Sequence, residues 1–461
     1  MASIFVSIVC ACSCFVFRFL YRLSQPKVVG IVIFTPMSLV LLHELFFTWP
    51  PAFADWVEGS RNYQWMFIVL LSALIGLATG FLTIKYFARN MRKFLEAYHH
   101  DRLIDTYPGS RTLSIIAMFL FLTLCGFLLY RGVPPAITNF KKVISGGYAY
   151  GAHESMAEQR LALTKGHHFG GTYRGQGIFR WINKVGWTFI AAVSILRYGT
   201  KKSYPNLALA VAALFGSFIF IAGDGTRGPF LWSLVTIMVV LSLHFRIKKI
   251  HLINFVAILI VLLVAISLTQ KLSGVIGEGG GSQAIIEKLS ERIFFGNGSN
   301  TNDVVRFIDN GYMEKRYGQI HRNDFAAAIP FVKSDTPFTY EVFLLQNPFL
   351  VNDRTTFASM TYLGRLYAEG GLCIVLVGYF LIGGVCAGLC PLLKTEKTPE
   401  NIAFNGMVIM AVGQTPLNGV VYFLMSIFVL GFVMVLFRVM RITFSYSSYR
   451  RSVSTQRLSV S

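Results

Sequence analysis

The sequence predicts an all-α polytopic membrane protein, and three observations carry that prediction. Apolar runs long enough to cross a bilayer, about 17–25 residues each, recur along most of the 461 residues. Only 14% of the residues are charged, against about 25% in an ordinary soluble protein, and 54% are hydrophobic. Lys and Arg collect in alternate short loops, as the positive-inside rule requires. Together these exclude a soluble enzyme, a disulfide-stapled secreted domain and a disordered protein. They also argue against nucleic-acid binding, despite a formal net charge of +20.

About eleven transmembrane helices are predicted, near 3–20, 28–48, 65–86, 112–130, 178–196, 205–222, 228–245, 251–270, 370–391, 401–417 and 419–438. Backbone in lipid must satisfy its own hydrogen bonds, so each run is read as a helix. The split between the last two rests on the turn signal Gln414-Thr415-Pro416-Leu417-Asn418-Gly419. The whole chain, 1–461, is read as one integral membrane domain.

Arg18, Arg22 and Lys27 follow the first helix, and Lys85, Arg89, Arg92 and Lys93 follow the third. Arg197, Lys201 and Lys202 follow the fifth, and Arg438, Arg441, Arg450 and Arg451 come after the eleventh. All fall on one face, read as cytoplasmic, which puts the N-terminus outside and the C-terminus inside. The first helix has no basic segment before its apolar stretch, so it is read as a retained span rather than a signal peptide. All seven cysteines lie within predicted spans. Cys10-Ala11-Cys12-Ser13-Cys14 fits no zinc spacing, so no metal and no cofactor is expected.

Two long loops, 131–177 and 271–369, are predicted on the extracytoplasmic face, and long loops usually carry function. The cytoplasmic loops are short and basic, without a nucleotide-binding fingerprint. The first long loop and the start of the next span hold Arg131, Lys141, Lys142, Arg160, Lys165, Arg174, Arg180 and Lys184 against only Glu154 and Glu158. This excess suits an anionic ligand such as phosphate or pyrophosphate gripped by Arg forks, or a basic surface over anionic lipid. Gly223-Asp224-Gly225-Thr226-Arg227-Gly228-Pro229 joins two spans at the outer face. It reads either as a tight turn with an internal Asp–Arg pair or as a mount that points Arg227 into a cavity mouth.

In the second loop, Ile285, Ile286, Leu289 and Ile293 have the spacing of an amphipathic helix. A turn is predicted over Phe295–Asn300 and a short helix around Val304, Val305 and Ile308, stopped near Asn310-Gly311. Thr336-Pro337-Phe338 and Asn347-Pro348-Phe349 predict irregular chain. Arg306 and Arg316 flank Asp309 and Glu314, which surface ion pairs explain. His321 is the only histidine of this loop: a general-base candidate, or a polar surface residue. Tyr362, Arg365 and Glu369 fall at i, i+3 and i+7 on a helix leading into the ninth span. Arg365 and Glu369 pair with each other, or Glu369 is a base or hydroxyl-binding carboxylate.

The many spans, the Gly225-Thr226-Arg227-Gly228 turn, and the late outer loop with Arg306 to Gly318 and Ala328-Ile329-Pro330 make a pattern. So does Thr361-Tyr362-Leu363-Gly364-Arg365-Leu366-Tyr367-Ala368-Glu369-Gly370-Gly371 before a Gly-rich span. In this the chain resembles the Wzy-type O-antigen and oligosaccharide repeat-unit polymerases. Some members carry Arg-x10-Gly in their outer loops. Here Arg306 to Gly318 has eleven intervening residues and Arg160 to Gly171 has ten.

The resemblance implies a GT-C-like fold and a metal-independent inverting glycosyltransferase of the bacterial inner membrane. It would join undecaprenyl-pyrophosphate-linked oligosaccharide units into O-antigen, capsule or exopolysaccharide at the outer face. Arg160, Arg174, Arg227, Arg306 and Arg365 would hold the pyrophosphate, and His321 or Glu369 would be the base. The partners implied are the lipid-linked oligosaccharide, the bilayer, a flippase and a chain-length regulator. The rival readings are an O-antigen ligase and, from another class, a polysaccharide or lipid-carrier transporter or flippase.

Overall fold

The computed structural model describes residues 2–25, 34–57, 63–87, 109–131, 176–222, 228–257, 298–350 and 358–458, with short gaps inside the last three. Among the described residues the regular structure is helical throughout. Three stretches, Val6–Ser24, Gln64–Tyr86 and Val420–Val439, are long and apolar enough to cross a membrane. Leu113–Gly126, Tyr204–Phe218, Leu231–His244 and Leu372–Gly388 are shorter apolar helices.

The helices are α1 (Ala2–Ser24), α2 (Pro36–His43), α3 (Trp49–Val57), α4 (Tyr63–Phe87), α5 (Gly109–Arg131), α6 (Gln176–Lys201), α7 (Tyr204–Ala222) and α8 (Gly228–His244). Helices α1 and α4–α8 overlap predicted helices, as apolar runs closed by polar or turn residues, whereas α2 covers only part of the run read at 28–48 and α3 forms where a short loop was expected. Thr35 starts α2 with a capping box: its hydroxyl accepts from the Ser38 N–H (3.1 Å), and the Ser38 hydroxyl accepts from the Thr35 N–H (2.9 Å). Between α2 and α3 the residues Glu44–Thr48 form a π-helical turn.

The loop after residue 297 folds into α9 (Gly298–Asp309), α10 (Gln319–Ala328), α11 (Phe338–Gln346) and α12 (Tyr362–Gly370). Three expectations are corrected here. The turn placed over Phe295–Asn300 gives way to helix from Gly298, which packs against the Phe47 carbonyl and the Pro51 ring. The chain after Thr336-Pro337 is helical, because Pro337 stands just outside α11 with no amide hydrogen to satisfy. Helix α12 does not run into the ninth span. Gly371 breaks the chain at φ +73°, and α13 (Leu372–Gly388) starts afresh.

The core is continuous through the bundle, with Leu70, Leu77, Phe189, Val240 and Tyr379 fully buried. Among the described helices, α4 and α13 make the most extensive contact. A Cβ on Gly76, Gly80 or Gly383 would collide with the facing backbone at Leu376, Phe380 or Leu77. Small residues thus let two apolar helices touch along their backbones, a close-packing mode suited to lipid.

Helix α14 (Pro399–Gly413) and the one-turn α15 (Thr415–Asn418) precede α16 (Val420–Leu458). The predicted turn at 414–419 is present, and Gly419 takes φ +84°. The predicted last span, 419–438, coincides with the apolar stretch Val420–Val439, and α16 itself runs on past it to Leu458. Contacts of α10 with α16 and of α12 with α15 seat the 298–370 helices on the 414–422 end of the bundle. At that end α9 also packs on α3, where Asn302 donates to Asp55 (2.7 Å).

Candidate functional site

Helix α12 buries its apolar side and carries Glu369 in its last turn, 3% exposed. A carboxylate there opposes the helix dipole, so its charge must be met from elsewhere. The turn Arg316-Tyr317-Gly318 meets it. The Arg316 N–H donates to the Ala368 carbonyl (2.8 Å) and the Tyr317 N–H to the Glu369 carbonyl (2.9 Å). Tyr317 takes φ +44° and Gly318 φ +90°, a backbone that few non-glycine residues adopt.

This turn presents the N-terminus of α10 to the carboxylate. The Gly318 N–H donates to Glu369 Oε2, and the His321 N–H donates to Oε1 (2.8 Å). Gly318 occupies the cap position with no side chain to offer, so Glu369 serves as the cap from another helix.

The His321 ring lies in the same place. Its Nδ1 is 2.7 Å from Glu369 Oε1, and its Nε2 is 2.7 Å from the Tyr362 hydroxyl. The proton arrangement that satisfies every group has Nδ1–H donating to the carboxylate and the Tyr362 O–H donating to Nε2. Burial pushes the Tyr362 hydroxyl above its usual range, opposed by the Arg365 charge and reinforced by Asp324 and Glu369. The phenol therefore keeps its proton and remains a donor. His321 is 24% exposed and Tyr362 is buried, so the imidazole is the part of the trio that solvent or a substrate reaches.

An orienting carboxylate, an imidazole and a hydroxyl in series can fix one tautomer, stabilise an imidazolium and move a proton. The same trio also pins α10 to α12. Two further links hold the surroundings. The Arg365 guanidinium pairs with Asp324 (2.8 Å), and that of Arg316 pairs with Glu341 (2.5 Å). Trp65 Nε1–H donates to the Tyr367 hydroxyl (2.6 Å), which donates to Asp309 (2.6 Å).

Of the residues singled out from the sequence, His321 and Glu369 come together, and Arg365 lies beside them close enough to act on Tyr362. Arg306 does not join them: it is half exposed, pairs with Asp303 (2.5 Å) and lies over the Phe307 ring. Arg160, Arg174 and Arg227 lie outside the described residues. The expected pairings are corrected too. Arg306 and Arg316 take Asp303 and Glu341 rather than Asp309 and Glu314. Arg365 takes Asp324 and leaves Glu369 to His321, because α12 meets α10 with these as the facing pairs.

Two residues escaped the sequence reading as site members. Tyr362 was legible only as part of a helical face. Lys184 was counted only as part of the basic excess at the start of the fifth span, and in α6 it lines a cavity in the bundle. That cavity abuts the 414–422 turn, where Gly419 packs on the Tyr362 ring.

No protein-family model matches this chain, and neither a curated protein nor a solved structure matches it.

Proposed function

We propose that this chain is an inverting glycosyltransferase with about eleven spans in a GT-C-like arrangement, which polymerises undecaprenyl-pyrophosphate-linked oligosaccharide units at the outer face of the bacterial inner membrane. The observation that carries the reading is the Glu369–His321–Tyr362 series in the late outer loop. It joins the two residues that the family resemblance offered as alternative bases. His321 is the base, and Glu369 orients it and balances its charge.

The acceptor hydroxyl attacks the anomeric carbon of the donor while its proton passes to His321 Nε2. The bond from that carbon to pyrophosphate breaks, and lipid pyrophosphate leaves with the electron pair. Tyr362 must release Nε2 for this, or hand its own proton to Nε2 while taking that of the acceptor. Arg160, Arg174, Arg227 and Arg365 bind the departing charge without a metal. Arg306 and Arg365 would have to exchange Asp303 and Asp324 for the pyrophosphate.

The test is a polysaccharide ladder gel from a strain lacking this chain, complemented with wild type, His321→Ala, Glu369→Gln or Arg227→Ala. Collapse of the ladder to core plus one unit, restored only by wild type, is expected. Bare core would point to an O-antigen ligase instead. A ladder unchanged by loss of the chain would sink glycosyl transfer.

One observation favours the transporter reading. Glu44 is buried in the π-helical turn and bonded to the hydroxyl of the fully buried Tyr379. An ionisable residue at membrane depth is often part of a transport path. Ladder loss on Glu44→Gln, with His321→Ala silent, would favour it.

A further inference from the structure

Lys184 stands in α6 with its ammonium donating to the Tyr422 hydroxyl (2.8 Å) and lying over two rings, Trp181 at 5.2 Å and Tyr422 at 5.0 Å. Among the described residues no carboxylate lies within ion-pair reach of it. Every other described basic side chain of the site end already has such a partner or points to solvent: Arg306 has Asp303, Arg316 has Glu341 and Arg365 has Asp324. Lys184 faces a cavity of about 50 Å3.

The walls of that cavity divide by polarity. Lys184, Gln414 and Tyr422 supply donors, Thr236 turns its hydroxyl to the Trp232 carbonyl (2.7 Å), and Trp181 and Trp232 supply indole faces. Met407, Met410 and Leu430 make the remainder apolar. Behind Trp232, His43 stacks on the indole at 4.8 Å. His43 is buried, and its Nε2 meets no partner among the described residues. A lone cation held by aromatic rings inside an apolar bundle is costly unless an anion completes it. A free carboxylate or halide would satisfy the charge but leave the Tyr422 and Gln414 donors and the apolar wall unused. A phosphate ester on a lipid uses all three.

We propose that this cavity binds the phosphate of a lipid, with Lys184 as its cation and Trp181 and Tyr422 as its frame. The proposal deepens the glycosyl-transfer reading, on which it rests only for the identity of the lipid. Gly419 links the two places: it closes the turn that Gln414 begins and packs on the Tyr362 ring, so a phosphate at Lys184 would lie near the His321 trio.

The test uses the full chain in detergent and its intrinsic fluorescence, since two of its six tryptophans line the cavity. The probes are phosphatidylglycerol, undecaprenyl phosphate, inorganic phosphate and, as the uncharged control, diacylglycerol. Saturable quenching by the two phospholipids and none by diacylglycerol is expected. Lys184→Met should weaken it about tenfold, and Lys184→Arg should hold it within about threefold. Tyr422→Phe, which keeps the ring and loses the hydroxyl, should fall between and guards against a misfolded Lys184→Met. Equal quenching by diacylglycerol, or full affinity in Lys184→Met, overturns the proposal. Inorganic phosphate binding as tightly as the lipids overturns the lipid part and leaves an anion site. If Lys184→Met loses lipid binding but keeps the ladder, the site stands and is detached from transfer. If the ladder fails while lipid binding is intact, the assignment of Lys184 as the cation is overturned and the transfer reading is untouched.

Discussion

Two buried carboxylates at opposite ends of the bundle have opposite characters. Glu400, at the start of α14, pairs with the Arg197 guanidinium of α6, and both side chains are below 10% exposed. Neither is open to a ligand, and each keeps one atom, Glu400 Oε2 and Arg197 Nε, without a partner among the described residues. Glu369 is as deeply buried, but its partner is a partly exposed imidazole with a second, weaker bond to a phenol. The first pair is closed on itself and fastens two helices. The second is open on one side and able to exchange a proton. Burial of a charge therefore says little about function until the exposure and titration range of its partner are known.

The sharpest way to break this contrast is to remove one member of each pair. His321→Ala and Glu369→Gln should each lower polymer formation by roughly 10²–10⁴-fold at normal protein levels, measured by ladder gel against a membrane immunoblot. Arg197→Leu should instead destabilise the bundle by about 3–5 kcal/mol, because Glu400 is left buried and uncompensated. Arg197→Met with Glu400→Met should recover most of that loss in a detergent melting assay. If the double variant is inactive but stable, the far end is not merely a fastener. Gly80→Leu comes next: a side chain there meets the Phe380 backbone, and about 1–3 kcal/mol or more should be lost from the same melt. Thr35→Ala removes the α2 cap and should cost about 0.5–2 kcal/mol, with ladder length unchanged.

The smallest effect concerns pH. Burial raises the Asp309 and Glu341 carboxyls above their ordinary range, outweighing Tyr367, Trp65 and Lys315 for the first and Arg316 for the second. A carboxyl raised in the folded state adds stability at low pH and loses it as pH climbs through the raised value. The 298–370 helices should thus protect their amides better as pH falls toward the usual carboxylate value of about 4. Asp309→Asn should flatten that trend in hydrogen exchange; a steeper trend would place the titration elsewhere.

Much of the helix layout was legible in the sequence, because lipid admits one backbone solution for an apolar run of sufficient length. The turn at Gln414–Gly419 was legible for the same local reason. The helices α10 and α11 were not. The stretch of α10 is short and polar and is held by contacts such as Glu369 to Gly318, fifty-one residues apart in sequence, while that of α11 is short and follows a Thr-Pro step that reads as irregular chain. His321 and Glu369 were each legible as candidates, but their union was not, since no local pattern joins a loop histidine to a helix forty-eight residues away. Lys184 was missed because at the start of the fifth span it reads as one more charge in a basic excess. Only the rings of Trp181 and Tyr422 around it give it a different meaning.

The double duty of Glu369 has a consequence for how this site can change. One carboxylate closes the first turn of α10 and sets the histidine ring, with two backbone amides and an imidazole meeting its two oxygens. Aspartate keeps the charge but is one methylene shorter, so it must abandon either the helix end or the ring. Charge conservation is then no guide to tolerance here. Variation is confined to the neighbours that tune the site, and proton affinity and local order must drift together or not at all.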